Sequence, residues 1–151
     1  NARFISYFFN QDCIKGIPTK MRDVKKYLKK QDIVFCGALE YHPNQTSDST
    51  TAEIAKELKT NFINMTNVSG LHDKNPKKFK NSKFIPKISW KKFYEMSKKI
   101  KFEPGQHFVL DQTAAKIIME NKIPTYIFGK NLINLENFLN NRKFIGTRIE
   151  G

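Results

Sequence analysis

Residues 109–129 read VLDQTAAKIIMENKIPTYIFG, and this stretch decides the fold that the sequence predicts. Its first half repeats apolar residues at helical spacing, which predicts a helix over about 109–121. The following IPTYIF, at 123–128, is a short apolar run stopped by Gly129, which predicts a buried strand. A helix followed directly by a buried strand is the repeating unit of an α/β fold.

The same alternation extends in both directions. Further helices are predicted at about 17–30, 50–58, 89–100 and 132–139, and further strands at 32–38, 61–66 and 144–149. Strands that alternate with helices predict an α/β architecture with a largely parallel sheet. Ligands of such sheets bind beyond the carboxyl ends of the strands. The loops 39–48 and 67–78 each follow a predicted strand, so they form the expected ligand edge.

Composition suits one domain, with 151 residues of which 39% are apolar. Lys and Arg number 27 against 14 Asp and Glu, and the formal charge of +13 comes from 23 Lys and only 4 Arg. This charge has three interpretations: a general compositional bias, a polyanion-binding surface, or part of a nucleotide site. No apolar run reaches the roughly 20 residues of a membrane span. Cys13 and Cys36 make no disulfide framework, so a reducing, cytoplasmic setting is expected.

Three stretches resemble segments of the amino-acid-kinase superfamily. The first, at 43–58, reads PNQTSDSTTAEIAKEL and resembles a Pro-Gly-x-x-Thr-Asp segment with the Ala-rich helix that follows it. The second, at 65–89, reads MTNVSGLHDKNPKKFKNSKFIPKIS and resembles the Thr-Asn-Val-Asp-Gly-Val-Tyr…Asp-Pro-Lys nucleotide loop. The third, at 102–131, reads FEPGQHFVLDQTAAKIIMENKIPTYIFGKN and resembles a later Gly…Asp-x-x-Ala-Ala-Lys helix and strand. All three occur in order and with family-like spacing, which makes the combination specific.

The combination is most similar to archaeal-type uridylate (UMP) kinases. The resemblance covers about Asp32 to the end, and the opening NARFISYFF is similar to an earlier family helix. It implies an amino-acid-kinase-like fold, a three-layer αβα sandwich with a largely parallel sheet. It also implies transfer of the ATP γ-phosphate to UMP with Mg²⁺, by a cytoplasmic homo-oligomer, a hexamer, without a membrane or nucleic-acid partner.

The acceptor-side loop, about 39–48, carries the predicted UMP contacts. By the resemblance, these are Tyr41, His42, Pro43, Asn44, Gln45, Thr46 and Ser47. Asp48 occupies the position of a catalytic Asp that orients active-site groups. Hydroxyls at the start of a helix also suit an anion physically, because the amides there favour negative charge. The alternative is that Thr46, Ser47 and Asp48 do not contact UMP and only cap the helix. The sequence also predicts a capping box for this helix, formed by Thr50 and Glu53.

The ATP-side loop, about 66–78, carries the predicted ATP contacts. By the resemblance, these are Thr66, Asn67, His72, Asn75 and Lys77, with His72 at an adenine-packing position. Gly70 permits a tight turn and a close backbone approach, and Lys77 can neutralise phosphate as a point charge. The alternative is a solvated basic loop without a ligand. The three His residues share no ligand spacing, so no resident metal site is predicted.

Other conspicuous residues are assigned structural roles. Trp90, Phe93 and Tyr94 lie near one helical stripe, and we expect them in the core rather than in a stacking platform. Asp111 and Lys116 are five residues apart, so they do not share a helix face. The small residues between them indicate that this helix serves close packing.

Several positions depart from the family pattern. Asn44 replaces Gly, Ser69 and Asn75 replace Asp, and His72 replaces Tyr. The family's opening Lys-x-Gly-Gly-Ser strand and turn, which holds phosphates and supplies an essential Lys, has no match here. We therefore expect residues 1–151 to form a single partial kinase domain, the C-terminal two-thirds, with the N-terminal part missing and activity impaired. Two other hypotheses stay open: another small-molecule kinase of the superfamily, and a non-catalytic nucleotide- or polyanion-binding protein.

Overall fold

The structure is a computed structural model that describes residues 1–9, 16–40, 46–99 and 109–151. Its elements in chain order are α1 (Ala2–Phe8), α2 (Met21–Leu28), α3 (Ser47–Leu58), β1 (Phe62–Thr66), β2 (Lys87–Ile88), α4 (Trp90–Lys99), α5 (Gln112–Glu120), β3 (Thr125–Gly129), α6 (Leu132–Leu139) and β4 (Thr147–Ile149). Helices and strands alternate one by one from α5 to β4, as the sequence predicts, whereas α1 to α3, β1 and β2, and α4 and α5 follow one another directly.

The four strands form one sheet in the order β1-β3-β4-β2. Strand β1 runs parallel to β3, from Phe62 opposite Thr125 to Thr66 opposite Gly129. Strand β4 is parallel to β2 and antiparallel to β3. The predicted α/β fold with a largely parallel sheet is confirmed. Because β1 and β3 are parallel, their carboxyl ends share one edge, where such sheets bind ligands.

Helix α5 packs against both α3 and α4. The residues that α5 buries include Ala114 and Ala115, which have no exposed surface, and Ala52 of α3 has none either. Because alanine adds little width to a helix, the axes of α3 and α5 can approach closely. The predicted packing role of this helix is confirmed.

The aromatic residues of α4 contribute to the core, as predicted. Phe93 is fully buried, and Trp90 and Tyr94 pack against the same core cluster. The indole N–H of Trp90 donates a hydrogen bond to the carbonyl of Ile123 at 2.9 Å, which satisfies its polar atom. These aromatic side chains therefore hold α4 in place instead of presenting a stacking surface.

The strand predicted at 32–38 is wrong. Residues 31–40 contain no strand, and Ile33 is 43% exposed. A strand needs a neighbour for its backbone hydrogen bonds, but within the described residues β1 pairs on one side only, with β3. The acceptor-side loop therefore does not follow a strand of this sheet. Its predicted position at the ligand edge, which depended on that strand, is not supported.

The start of α3 also differs from the prediction. The helix begins at Ser47, and its capping box is formed by Thr46 and Ser49, not by Thr50 and Glu53. Thr46 Oγ1 accepts the backbone N–H groups of Asp48 and Ser49 at 3.2 Å each. A hydroxyl at this position satisfies amides that have no partner within the helix, so the earlier Thr takes the capping role.

Other element ends shift by a few residues. Helix α2 begins at Met21, after extended backbone at Lys20, and α5 begins at Gln112 with Asp111 as its cap. Strand β2 was not predicted, because a pair of strand residues has no periodic pattern and depends on its partner β4.

No helix in the described ranges combines the length and apolar character that a membrane span requires; the longest of them, α3, has 12 residues.

Candidate active site

A cavity of about 120 Å³ lies at the carboxyl end of β1. Its lining includes the five residues that the sequence assigns to ATP, namely Thr66, Asn67, His72, Asn75 and Lys77. The lining is completed by Val68, Gly70, Leu71, Asp73, Lys74, Pro76, Met96 and Val109. An engineered apolar cavity of about 150 Å³ binds benzene, so this space suits one ring of a larger ligand.

Thr147 of β4 closes the base of the β1–β2 loop, which we define as residues 67–86. Its side chain is fully buried. Thr147 Oγ1 accepts the N–H of Leu71 at 2.8 Å and donates to the carbonyl of Ile85 at 2.6 Å. One hydroxyl therefore fixes both ends of the segment that carries His72 and Asn75.

Gly70 allows the loop to approach Thr147. Its φ is +154°, and a Cβ at this position would lie 2.8 Å from Thr147 Oγ1 and 2.9 Å from the ring of Phe84. Only glycine tolerates both the backbone conformation and the lack of space. The predicted close backbone approach at Gly70 is confirmed, and its neighbour is Thr147 of the protein's own β4.

An isolated antiparallel bridge between His72 and Phe84 continues the closure. The N–H of Asp73 donates to the carbonyl of Lys83 at 3.0 Å, and the N–H of Lys83 donates to Asp73 Oδ1 at 2.7 Å. The Lys83 N–H bond, assisted by the charge of Lys74, holds the pKa of the Asp73 carboxyl below its ordinary value. The loop is therefore closed by its own hydrogen bonds.

His72 is held by three neighbours within the loop. Its Nδ1 lies 3.2 Å from Ser82 Oγ, its Nε2 lies 3.5 Å from Ser69 Oγ, and its ring meets the ring of Phe84 edge-on at a centroid distance of 5.5 Å. Ser69 and His72 are two of the departures from the family pattern, and they contact each other. The structure places His72 in the cavity wall, with an orientation set by these neighbours.

Asn75 uses its side chain to turn the loop. Its Oδ1 accepts the N–H of Lys77 at 2.9 Å, and its carbonyl accepts the N–H groups of Lys78 and Phe79. This is the local hydrogen bonding typical of Asn in turns. The oxygen expected to face a nucleotide is thus engaged within the loop, whereas Lys77 is exposed beside it.

Met96 of α4 and Val109 add apolar surface to the cavity. Asn64 of β1 fixes Val109, since its Nδ2 donates to the Val109 carbonyl at 2.6 Å. Sequence reasoning missed both cavity residues, because the spacing of Met96 resembles that of a core residue and Val109 was placed inside a helix. An unbranched, polarizable Met suits contact with a flat ring.

The structure describes Thr46, Ser47 and Asp48 among the predicted acceptor-side residues. Tyr41, His42, Pro43, Asn44 and Gln45 lie outside the described residues. Thr46 is the N-cap of α3, and Ser47 and Asp48 begin its first turn. The capping role is therefore confirmed for Thr46, and the N-terminus of α3 keeps the electrostatics that suit an anion.

Asp111 joins the N-terminus of α5 to that of α3. We call the group formed by Thr46, Asp48 and Asp111 the helix junction. Thr46 Oγ1 donates to Asp111 Oδ2, and the backbone N–H of Asp111 donates to the Asp48 carboxylate. Asp111 Oδ1 accepts the N–H of Ala114 at 2.9 Å and so caps α5. The sequence assigned this helix to packing and gave no signal for the contact, which joins residues far apart in the chain.

Asp48 has an unusual environment for a carboxylate. Burial raises its pKa above the ordinary value, and the nearby Asp111 carboxylate raises it further, while the N–H of Asp111 acts in the opposite direction. A half-buried carboxylate beside a second one favours the protonated form or a compensating cation. Such perturbed groups concentrate at functional sites.

The donor atoms at the helix junction can be compared with the needs of Mg²⁺. No group of three or more His, Cys, Asp or Glu side chains that could hold a metal ion occurs in the described part of the chain. Mg²⁺ is usually bound by one or two carboxylates together with substrate phosphates. The carboxylate of Asp48 fits that donor set, for an ion that arrives with a phosphorylated substrate, whereas both oxygens of Asp111 are engaged by Thr46 and by the N–H of Ala114.

A ring-sized cavity at the carboxyl end of a parallel strand, with a second site at a helix N-terminus, is the arrangement of α/β proteins that bind phosphorylated ligands. Within that class, the chain belongs to the amino acid kinase family: residues 1–129 match the model of the Amino acid kinase family. The predicted family resemblance is confirmed.

Three uridylate kinases show which kind of amino acid kinase the chain is similar to. A uridylate kinase from Thermococcus kodakarensis is 37% identical over 120 residues, which cover 77% of this chain and 52% of the relative. A uridylate kinase from Methanocaldococcus jannaschii is 28% identical over 155 residues, covering 100% of this chain and 66% of the relative. The crystal structure of uridylate kinase from Archaeoglobus fulgidus matches with a TM-score of 0.74 and 28% identity, over 89% of this chain and 60% of that one. The chain thus spans between half and two-thirds of the length of these proteins.

Proposed function

We propose that the chain is the part of a uridylate kinase that holds ATP and UMP for transfer of the γ-phosphate, giving ADP and UDP. The observation that carries the proposal is the cavity after β1, which collects all five residues predicted to contact ATP. The similarity to archaeal uridylate kinases supports UMP as the acceptor.

The reaction requires positioning more than covalent chemistry. An oxygen of the UMP phosphate attacks the γ-phosphorus of ATP, and the new P–O bond forms as the bond to the β–γ bridging oxygen breaks. The leaving group is ADP, and its charge grows on the bridging oxygen. Because the attacking phosphate oxygen is already ionised, no base is needed to remove a proton from it. Alignment and stabilisation of charge are what the protein must supply.

On the ATP side, the cavity holds one ring of the base against Met96 and Val109. The exposed Lys74 and Lys77 at the cavity wall supply positive charge for the phosphates. Thr66 and Asn67, directly at the end of β1, offer polar groups to the nucleotide. The closed β1–β2 loop keeps these groups in place before ATP binds.

On the acceptor side, the N-terminus of α3 receives the UMP phosphate. Ser47 is exposed there and offers a hydroxyl, and the positive end of the helix dipole favours the anion. The roles of residues 41–45 as further UMP contacts remain predictions from the resemblance. Asp48 is assigned to orientation of the reacting groups, since the nucleophile has no proton for it to remove.

When bound with ATP, Mg²⁺ offsets the negative charge that the transferring phosphates share. Asp48 is the side chain that would hold it from the protein side, because both carboxylate oxygens of Asp111 are engaged, one by Thr46 and one by the N–H of Ala114. Burial raises the pKa of Asp48, and the nearby Asp111 carboxylate raises it further; a cation beside Asp48 would favour its ionised form.

The resemblance also leads us to propose a homo-oligomer, a hexamer. Helix α1 exposes large apolar side chains, with Phe4 at 64% and Phe8 at 77% exposure, which suits a surface covered by another chain. Light scattering of the purified protein tests this assignment: a hexameric mass is expected, and a monomer at all concentrations would contradict it.

The enzymatic assignment is tested by measuring UMP-dependent formation of ADP from ATP, both in the 151-residue chain and in the full product of its gene. We expect UMP to be the preferred acceptor and Asp48→Asn to lower kcat by at least about tenfold. Equal or greater turnover with an acylated amino acid or isopentenyl phosphate would reject UMP as the acceptor. Salt-sensitive RNA binding without ATP binding would support the polyanion hypothesis instead.

A further inference from the structure

We infer that Asp111 is a positioning residue of the transfer site, which fixes the acceptor-side helix α3 relative to the cavity after β1. The inference rests on the proposed function. Asp111 touches neither substrate in this account; it acts through Thr46. It lies 65 residues beyond Thr46 in sequence, on a helix that the sequence assigned only to packing.

Each oxygen of the Asp111 carboxylate has a different partner. Oδ1 accepts the N–H of Ala114 and caps α5, while Oδ2 accepts the hydroxyl proton of Thr46. A threonine hydroxyl has one proton and two lone pairs. Once Asp111 takes the proton, the oxygen of Thr46 is oriented to accept the N–H groups of Asp48 and Ser49. Asp111 therefore orients the cap of α3 from a neighbouring helix.

The segment that carries Asp111 is also anchored at the cavity. Val109 lines the cavity, and its carbonyl is held by Asn64 of β1 at 2.6 Å. Leu110, between Val109 and Asp111, is 1% exposed and belongs to the core cluster. Three residues span at most about 10 Å, so this segment is a short, buried link between the cavity and Thr46.

Such a link matters for phosphoryl transfer because the rate depends on the alignment of two substrates. The base of ATP is proposed to contact Val109, and the UMP phosphate is proposed to lie at the N-terminus that Thr46 caps. A displacement of about 1 Å between reacting groups can reduce the rate by about a hundredfold. The hydrogen bond between Asp111 and Thr46 therefore fixes the distance between the proposed positions of ATP and of the UMP phosphate.

The Asp111→Asn variant separates positioning from capping. Asn caps helices about as well as Asp, so the bond to Ala114 is retained. Its second terminal atom is an NH₂ donor, which cannot accept the Thr46 proton. We expect KM for UMP to rise about tenfold, because a hydrogen bond to a charged group is lost, while KM for ATP stays within about twofold.

A double-mutant cycle with Thr46→Val shows whether Asp111 acts through Thr46. In the Thr46→Val background, Asp111→Asn should change KM for UMP by less than about twofold, because the bond is already absent. Thr46→Ser, which restores the hydroxyl, should recover most of the affinity lost in Thr46→Val. If the two effects simply add, or if the KM values for ATP and UMP rise together, Asp111 has only a structural role and the inference is overturned.

The matched control is Asn131→Ala, which removes the N-cap of a different helix, α6; there Asn131 Oδ1 accepts the N–H of Asn134 at 3.1 Å. It should lower stability without changing KM for UMP. Equal rises of KM for UMP in Asn131→Ala and Asp111→Asn would mean that general loss of stability explains both, and would overturn the inference.

Amide hydrogen exchange gives a readout that needs no substrate. In the 151-residue chain, Asp111→Asn should speed exchange at Asp48 and Ser49 by about tenfold, and Asn131→Ala should not. If UMP-dependent turnover is absent in the parent protein, the proposed function fails and this exchange result decides the inference alone. Unchanged exchange at Asp48 and Ser49 would overturn it.

Discussion

The β1–β2 loop and the helix junction are held together in different ways. The loop is closed largely by groups near each other in the fold of one segment, with Asp73 bonded to Lys83 and Thr147 at its base. The helix junction depends on Thr46 and Asp111, which come together only because α3 and α5 pack closely. The loop therefore combines local closure with a tertiary contact from β4, whereas the helix junction rests on the packing of α3 against α5.

The two regions also differ in how they shift the pKa of a carboxyl group. Asp73 in the loop accepts an N–H bond and lies near Lys74, so its pKa is lowered. Asp48 at the junction is half-buried beside Asp111, so its pKa is raised. The loop stabilises the ionised form of Asp73, whereas the junction destabilises the ionised form of Asp48, which either a bound cation or protonation would relieve.

Gly70→Ala should produce the largest effect, because it attacks the closure of the loop directly. A Cβ would lie 2.8 Å from Thr147 Oγ1 at a φ of +154°, which an L side chain rarely adopts. We expect a loss of about 3 kcal/mol in the free energy of unfolding, together with loss of ATP binding. The control is Gly37→Ala, where a Cβ meets nothing within 4 Å; it should cost less than about 0.5 kcal/mol. Chemical denaturation measures both, and equal values would refute the close-approach explanation.

Thr147→Val should have the next largest effect. It keeps the shape of the side chain but leaves the N–H of Leu71 and the carbonyl of Ile85 without their shared partner. Unfolding should require about 2 kcal/mol less free energy, and Kd for ATP should rise more than Kd for UMP. Thr147→Ser retains the hydroxyl and should recover most of the loss. Equal weakening of both nucleotides would show that the loop is not specific to the ATP side.

Asn75→Ala tests the turn inside the loop and should have a smaller effect. Removing the bond from Lys77 N–H to Asn75 Oδ1 should cost about 1 kcal/mol or less. Asn75→Asp keeps an acceptor at that position and restores the residue of the family pattern. Calorimetric titration with ATP should therefore show weaker binding for Asn75→Ala than for Asn75→Asp. The reverse order would place the amide NH₂ of Asn75, rather than its oxygen, in the ATP contact.

The two carboxylates should give pH dependences of opposite sign. The folded pKa of Asp48 is raised, so the folded state binds its proton more tightly, and stability falls as pH rises from 3.8 through the folded pKa. The folded pKa of Asp73 is lowered, so its contribution is present above 3.8 and is lost as pH falls through the folded pKa. Relative to wild type, Asp48→Asn should gain stability between pH 3 and pH 7 and Asp73→Asn should lose it. Urea denaturation across this range measures both, and slopes of the same sign would contradict the difference between the regions.

Much of the sheet and of the cavity after β1 could be predicted from the sequence, because the signals are local. The apolar run of β1 is followed at once by Thr66 and Asn67, and Gly70 indicates a close approach. The partners of that loop could not be predicted: Thr147 lies in a strand at the far end of the chain, and its role depends on sheet order.

The acceptor side shows the limits of local pattern more clearly. The strand predicted at 32–38 has the right composition but pairs with no described strand, and pairing depends on neighbours rather than on composition. Asp111 carries a recognisable capping signal for its own helix, yet nothing in its local sequence indicates Thr46. That contact follows from the small residues that let α3 and α5 approach, and only the assembled fold brings them together.

The most direct test of the central claim is an NMR titration of the 151-residue chain with Mg²⁺·ATP and, separately, with UMP. We expect ATP to shift amide signals of the cavity wall, from Thr66 to Lys77 and at Met96 and Val109, and UMP to shift those of Ser47, Asp48 and Ser49. ATP-induced shifts confined to residues outside the cavity, or no response to ATP at millimolar concentration, would contradict a nucleotide site at the carboxyl end of β1.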